Sequence, residues 1–283
     1  MTTNPTAIEL ADLLDMIEGY RVVDLGHELF PGMPVAHTHS AYTFTLVRRH
    51  GDQPRDDGIS TANELLVMAG HTGTHIDAVG HASRDGRLFG GVDAVVAQTG
   101  GRGLTSHGVE TLAPLVARGV LLDIAGLHGV AHLDGGHEIT IAELEAAETA
   151  AGIKVSSRDI VLLRTGWAQL WDNRSRYLGE DTGTPGPGPG AATWLTERDI
   201  QATGSDTLVY EVVTPGRNVR PVHGQLLVDR AIPIMEGLYL EELAAGGHSE
   251  FLFVASPLKL VGATGSPIRP IALVPSGNGR LQS

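Results

Sequence analysis

The sequence predicts a mixed α/β fold in a single domain. Apolar strand-like runs alternate with helical patterns along the whole chain, no internal repeat or linker-like composition divides it, and 283 residues suit one large core. Hydrophobic residues make up 42% and charged residues 19%, a globular balance rather than a disordered one.

Residues 6–19 read as an amphipathic N-terminal helix. Leu10, Leu13, Leu14 and Ile17 follow helical spacing, Thr6 and Glu9 form a capping-box pattern, and Gly19 sits where a helix ends. RVVDL at 21–25 is a short strand. Residues 27–40 hold Pro31-Gly32 and Pro34, hence a loop. Residues 42–49 alternate apolar and polar side chains as a half-buried strand would. A further apolar run covers 63–68. VLLDI at 120–124 and IVLL at 160–163 look like interior strands, with a helix at 140–151 between them, opened by a second capping box from Thr140 and Glu143. The Pro/Gly stretch at 183–190 reads as a surface excursion or lid edge. A short helix at 191–199, a strand at 207–213 and late strands at 251–255 and 271–274 complete the chain.

Composition excludes several classes of function. Lys+Arg 20 against Asp+Glu 33 gives a net charge of −13, which repels phosphate backbones and anionic lipid, so neither nucleic acid nor membrane is an expected partner. Cysteine is absent, which removes disulfides, thiolate zinc sites, iron–sulfur clusters and a thiol nucleophile. No run approaches the ~18 apolar residues of a membrane span. The N-terminus lacks a basic start and apolar stretch, and the expected location is the cytoplasm.

Chemistry concentrates in His71-Thr-Gly-Thr-His75-Ile-Asp77-Ala-Val-Gly-His81. Three imidazoles and a carboxylate within eleven residues supply the ligand types of Zn²⁺, Mn²⁺ or Fe²⁺. Gly73 between two β-branched threonines argues for a turn that brings His71 and His75 together. A helix starting near Asp77 would put Asp77 and His81 on one face. Downstream, His223 opens an apolar segment, and Glu236 ends another in a position to point into a pocket. Read alone, these two are equally a solvated helix His and a surface Glu.

At these residues the sequence resembles the cyclase family of metal-dependent hydrolases, which includes kynurenine formamidases and isatin hydrolases. Residues 71–81 match the pattern His-x-Gly-Thr-His-x-Asp-x-Pro-x-His except at the proline, where Val79 stands. Asp24-Leu25-Gly26-His27 with Pro31-Gly32-Met33-Pro34, Leu162-Leu163-Arg164-Thr165-Gly166-Trp167 and Gly204-Ser205-Asp206-Thr207 extend the similarity over roughly residues 20–275 of a single domain spanning 1–283. Asp85-Gly86 and Phe89-Gly90-Gly91 resemble a longer subgroup. The resemblance implies a central mixed, barrel-like β-sheet flanked by helices, of the swivelling β/β/α type, in a homodimer or homotetramer. It implies His71, His75 and Asp77 as ligands of a first metal, His81 as general acid/base, and His223 and Glu236 as ligands of a second. The formamidase branch carries two ions and the isatin hydrolase branch a single Mn²⁺, so one or two Zn²⁺ or Mn²⁺ ions are expected.

The implied reaction is hydrolysis of a carbon–nitrogen bond in a small-molecule linear or cyclic amide by metal-activated water. No G-x-S-x-G motif offers a covalent route. A lactone hydrolase or polyketide-type cyclase would use the same residues, and a non-catalytic metal-binding protein is a third reading. Trp167, Phe30 and Phe89 are candidate substrate contacts. Trp167 can equally fill core. Arg164 is either a carboxylate anchor or half of a structural ion pair. His37, His39, His128, His132 and His137 read as solvated loop residues, and the acidic runs at 143–148 and 241–242 as solvated helix faces.

Overall fold

The structure is a computed structural model and describes residues 10–98 and 100–277. A nine-stranded sheet runs in the order β1 (Tyr20–Asp24), β13 (Ile271–Pro275), β11 (Glu250–Ala255), β5 (Leu115–Asp123), β7 (Ile160–Arg164), β9 (Ala202–Ser205), β10 (Ile234–Glu236), β4 (His75–Asp77), β12 (Gly265–Pro267), numbered along the chain. It curls into a half-barrel flanked by helices. Strands β5, β7, β9 and β10 pair in parallel at its centre, and the remaining pairings are antiparallel. A parallel centre covered on both faces explains the unbroken apolar runs at 120–124 and 160–163.

Strand alternation divides those runs between two cores. Val120, Leu122, Val161 and Leu163 face helices α4 (Ile141–Ala151) and α6 (Pro189–Glu197), packing on Leu144, Trp194 and Leu195. Leu121, Ile160 and Leu162 face the opposite way, onto Phe251, Phe253 and Leu243 of α8 (Glu241–Ala245). The Thr140/Glu143 capping box forms as the sequence indicates, and Gly152 ends α4 in the left-handed conformation at φ 66°. The N-terminal helix α1 is Leu10–Glu18, so the Thr6 cap lies outside the described residues. Two two-stranded sheets stand apart, β2 (Thr43–Arg48) with β3 (Asn63–Val67) and β6 (Glu138–Ile139) with β8 (Gly186–Pro187). The shorter helices are α2 (Ala94–Ala97), α3 (Ile124–Leu127), α5 (Arg174–Leu178) and α7 (Pro221–His223).

Four expectations need correction. The alternating run at 42–49 does form β2, but it pairs only with β3 and stays exposed, Phe44 and Val47 included. No strand covers 207–213. Strand β9 ends at Ser205, and side chains take over the backbone's hydrogen bonds: the Tyr210 amide donates to Glu236 Oε1 at 2.7 Å, and Asp206 caps the Thr165 amide. The apolar content of that run fills core, where Tyr210 is fully buried. Residues 183–188 are not a surface excursion, being buried, with Gly186 and Pro187 paired to β6. The acidic pair at 241–242 is not simply solvated, because Glu241 holds the Arg164 guanidinium at 2.8 Å while Asp123 holds it at 2.7 Å. Arg164 is therefore the structural ion pair of its two readings.

Candidate metal centre

Strand β4 places the first two side chains by register alone. His75 and Asp77 are two residues apart, so both project from one face while Ile76 enters the core on the other. Antiparallel pairing sets Glu236 of β10 directly opposite His75, and cross-strand partners share a face. His75 Nε2 lies 3.3 Å from Glu236 Oε2 and 3.6 Å from Asp77 Oδ1, all three residues buried.

The turn before β4 supplies His71. Gly73 makes it possible at φ 63°, where a Cβ would also strike Leu29 from the 27–34 loop. His71 Nδ1 sits 2.7 Å from Asp77 Oδ1 and its Nε2 2.9 Å from the Thr264 hydroxyl. Its ring lies against Gly265 of β12, where any Cβ would fall 2.5 Å from Cε1. Asp77 ends β4 instead of opening a helix, so the expected shared helix face does not exist. His81 instead ends a 3₁₀ turn at Val79–His81, which still brings its Nε2 to 3.8 Å from Asp77 Oδ2.

His223 arrives from the far side, at the end of the short helix α7. Its Nε2 lies 3.6 Å from Asp77 Oδ2 and 3.3 Å from Glu236 Oε1. Glu211 orients it. That carboxylate is buried, and it accepts from His223 Nδ1 at 2.5 Å, the His223 amide at 3.2 Å and the Val222 amide at 3.0 Å. A proton fixed on Nδ1 leaves the Nε2 lone pair facing Asp77 and Glu236, the usual way an outer carboxylate sets a ligand imidazole. Sequence reasoning did not identify Glu211.

Six groups thus converge, with Asp77 at their centre. One donor atom each from His71, Asp77 and His81 lies within 4.8 Å of the others, and so does a second set from Asp77, His223 and Glu236. Among the described residues, His75 Nε2 and Asp77 Oδ2 are buried without an aligned hydrogen bond. Buried polar atoms are rarely left so, and a cation is one standard partner. The donor set, imidazole nitrogen and carboxylate oxygen, fits a divalent ion of the Zn²⁺ or Mn²⁺ type.

Electrostatics agree with that fit. Burial opposes ionisation of Asp77, yet the imidazoles of His81, His223, His71 and His75 hold its carboxyl well below the usual range. Glu236 is likewise penalised by burial and by Asp77, but His223 and His75 bring it down to about 2. Burial depresses His75 and His223, and the carboxylates overcome it and push both up. The two buried carboxylates thus favour positive charge on their imidazole neighbours, charge that a divalent cation would supply in their place with release of protons. His81 behaves differently: burial, His71 and His223 outweigh Asp77 and lower its pKa. It is also the most exposed of the imidazoles around Asp77, with its side chain 31% accessible. His81 and His223 line one cleft of about 430 Å³ together with Arg84 and Arg220.

The three aromatic candidates lie elsewhere. Trp167 is buried with Met33, Val35 and Tyr177, and its indole N–H donates to the Tyr177 carbonyl at 2.9 Å. One edge of it lines a separate cavity of about 200 Å³ with His132 and Arg176. Phe30 and Phe89 are partly exposed, and neither lines the cleft at His81. Of the remaining histidines, His39 places Nδ1 3.2 Å from the His71 carbonyl, His37 pairs with Glu180 at 3.2 Å, and His132 Nδ1 lies 2.9 Å from the Leu133 carbonyl. His128 and His137 are not free loop residues, since both meet Glu143.

A curled mixed sheet carrying a buried imidazole–carboxylate cluster defines an α/β protein with a candidate divalent-cation site. Comparison with known proteins gives the family: residues 23–212 match the family described as putative cyclase, and the chain belongs to it. It is similar to an isatin hydrolase of Roseibium aggregatum, 27% identical over 77% of each chain. It is also similar to a kynurenine formamidase of Bacillus cereus, 27% identical over 78% of this chain and 88% of that one. Cyclase-like protein 2 of Arabidopsis thaliana is 30% identical over 77% of this chain and 67% of its own. Among solved structures, one titled a novel cyclase superposes with a TM-score of 0.83 at 28% identity, covering 95% of this chain and 91% of that one. No helix among the described residues is long and apolar enough to cross a membrane.

Proposed function

We propose that this protein is a metal-dependent hydrolase that cleaves the carbon–nitrogen bond of a small linear or cyclic amide, such as an aryl formamide or an isatin-like imide. The observation that carries this reading is the buried convergence of His71, His75, Asp77, His223 and Glu236, with unpartnered donor atoms on His75 and Asp77, beside a cleft that His81 lines. Relatives named isatin hydrolase and kynurenine formamidase support the choice of bond.

His71, His75 and Asp77 would hold a first Zn²⁺ or Mn²⁺, with Asp77 shared towards a second held by His223 and Glu236. Such an ion would supply a strong nucleophile from water at neutral pH and polarise the carbonyl oxygen. The chain's own part is orientation and proton transfer. Glu211 fixes the tautomer of His223, and Thr264 and Gly265 fix the ring of His71. His81, neutral and facing the cleft, takes a proton at Nε2 from the attacking water and returns it to the departing amine, which cannot leave as an anion.

A carbon–oxygen reading is the second one, because two plant relatives, at 30 and 31% identity, are named only cyclase-like. One experiment separates them. Metal content is measured on protein purified without added ions, followed by turnover of N-formyl arylamines, isatins, cyclic imides and matched lactones. The reading expects metal-dependent turnover on the nitrogen substrates, abolished in Asp77→Ala. Turnover of lactones alone would move the assignment to carbon–oxygen bonds, and metal-independent turnover would end it. We also read the chain as a homodimer or homotetramer, a reading favoured by exposed Phe44, Leu46, Leu65 and Leu66 on the β2–β3 hairpin and checked by light scattering.

A further inference from the structure

A second group of metal-ligand side chains lies outside the centre described above. His128 follows α3, His137 precedes β6, and Glu143 stands in the first turn of α4, so three separate elements meet at one point. Both His128 Nε2 and His137 Nε2 lie 2.7 Å from the same oxygen, Glu143 Oε1. One donor atom from each residue lies within 4.8 Å of the other two, and the rings stand edge to face with centroids 5.3 Å apart.

The carboxylate is held rigidly for this purpose. Glu143 Oε2 accepts from the Thr140 amide at 2.8 Å and the Thr140 hydroxyl at 2.7 Å, which fixes the rotamer and leaves Oε1 directed at the two imidazoles. Burial raises the carboxyl's pKa, but Thr140 and the two imidazoles outweigh it and hold the group at about 2, so it is ionised at neutral pH. Two imidazole nitrogens are thereby aimed at a single carboxylate oxygen. The same three atoms form a two-imidazole, one-carboxylate ligand set, as in three-ligand zinc sites that keep one position open.

We propose that His128, His137 and Glu143 form a separate Zn²⁺ site that ties the 128–137 loop to the first turn of α4. Tetrahedral coordination at about 2.1 Å needs donors roughly 3.4 Å apart. From 2.7 Å the rings must therefore retreat by about 0.7 Å from an oxygen that stays in place. They have room to do so, since the His128 and His137 side chains are 40% and 29% exposed, against 15% for Glu143. Gly129 and Gly136, both at positive φ, flank the loop's ends and let each histidine turn back. The loop also carries His132, Asp134 and Gly135 to the wall of the 200 Å³ cavity that Trp167 and Arg176 share, so a cation here stiffens that wall.

The test is zinc binding by metal-free protein, read by equilibrium dialysis with elemental analysis, in wild type, His128→Gln, His137→Gln and an Asp77→Ala background. Glu143 stays unchanged to preserve the helix cap. The expected result is one zinc fewer per chain in either histidine variant, with metal-free melting temperature unchanged. In the Asp77→Ala background one zinc should remain and then be lost on adding His128→Gln. Equal zinc content with and without the two histidines would overturn the site, whatever the main centre does. Should a histidine variant melt early, the Asp77→Ala protein labelled with Co²⁺ gives the answer. Its visible d–d bands must show a nitrogen-containing site, and a spectrum of aquated cobalt alone would refute it.

Discussion

Glu211→Gln is the most informative single change, because it removes one charge and almost no volume. The Glu211 carboxylate accepts three bonds, from His223 Nδ1, the His223 amide and the Val222 amide. A glutamine has one acceptor oxygen and one NH₂. If the NH₂ faces His223, the imidazole must accept at Nδ1 and carry its proton on Nε2, which turns a donor towards Asp77 and Glu236 where a lone pair stood. If the NH₂ faces Val222 instead, two donors oppose each other in a buried place, at about 1–3 kcal/mol. Loss of an outer partner typically costs 10–100-fold in metal affinity, and a factor of ten corresponds to about 1.4 kcal/mol. Calorimetric titration of metal-free protein with Zn²⁺ and with Mn²⁺ should show that loss on the site that His223 and Glu236 would hold. A double-mutant cycle with His223→Ala should show Glu211→Gln adding nothing further. Wild-type affinity in Glu211→Gln, or an effect that simply adds to that of His223→Ala, would refute the claim that Glu211 acts through His223.

Other changes follow from the same geometry. Asp77→Ala should abolish metal binding at the Asp77 centre, leaving only the zinc held by His128, His137 and Glu143, whereas His81→Ala should keep the centre's metal by elemental analysis and lose about 10²–10⁴-fold in rate. Metal lost together with activity in His81→Ala would make His81 a ligand. Gly265→Ala puts a methyl 2.5 Å from the His71 ring, so it should weaken metal binding and destabilise by about 1–3 kcal/mol in denaturant titration, as overpacking does. His27 stacks on Trp171 at 4.1 Å, and burial holds its pKa down to about 4. Its folded value is depressed below the reference 6.5, so the stability it contributes is complete above about 6.5 and is lost as pH falls towards 4, by roughly 3 kcal/mol. His27→Phe keeps the stack and should flatten thermal stability between pH 6.5 and 4.

The part of the site that was legible in the sequence is the part built locally. His71, His75, Asp77 and His81 lie within one turn, one three-residue strand and one 3₁₀ turn, so their convergence needs little more than backbone geometry. The helix expected at Asp77 failed because β10 and β12 capture residues 75–77 from both sides. His223 and Glu236 stand out only weakly, at the ends of apolar segments, and their role as ligands comes from the resemblance, since nothing near either in sequence shows that β10 lies beside β4. Glu211 was missed although it left a trace: it is the one charge inside the apolar run 207–213. A strand would have to bury that charge unpaired, and its presence argues for the irregular, side-chain-bonded segment that forms. His128 and His137 were taken for solvated residues because their partner is the N3 Glu of a capping box, whose second oxygen no helix-capping rule accounts for.

The proposed ligands differ in how firmly the fold holds them. His75, Asp77 and Glu236 sit on paired strands with sheet on both sides of β4, so their spacing is as rigid as the ladder. His71 and His223 are held by side chains and turns, through Thr264, Gly73 and Glu211. Substitutions that act at a distance should therefore reach the metal through the two held histidines and leave the strand-borne trio in place. The centre should therefore still take up metal in Glu211→Gln and Gly265→Ala, at reduced affinity, because His75, Asp77 and Glu236 keep their places. Among changes outside the metal-facing side chains, only those to the β4 register, such as a proline at Ile76, which stands in register with Met235 on one side and Ser266 on the other, should dismantle the site outright.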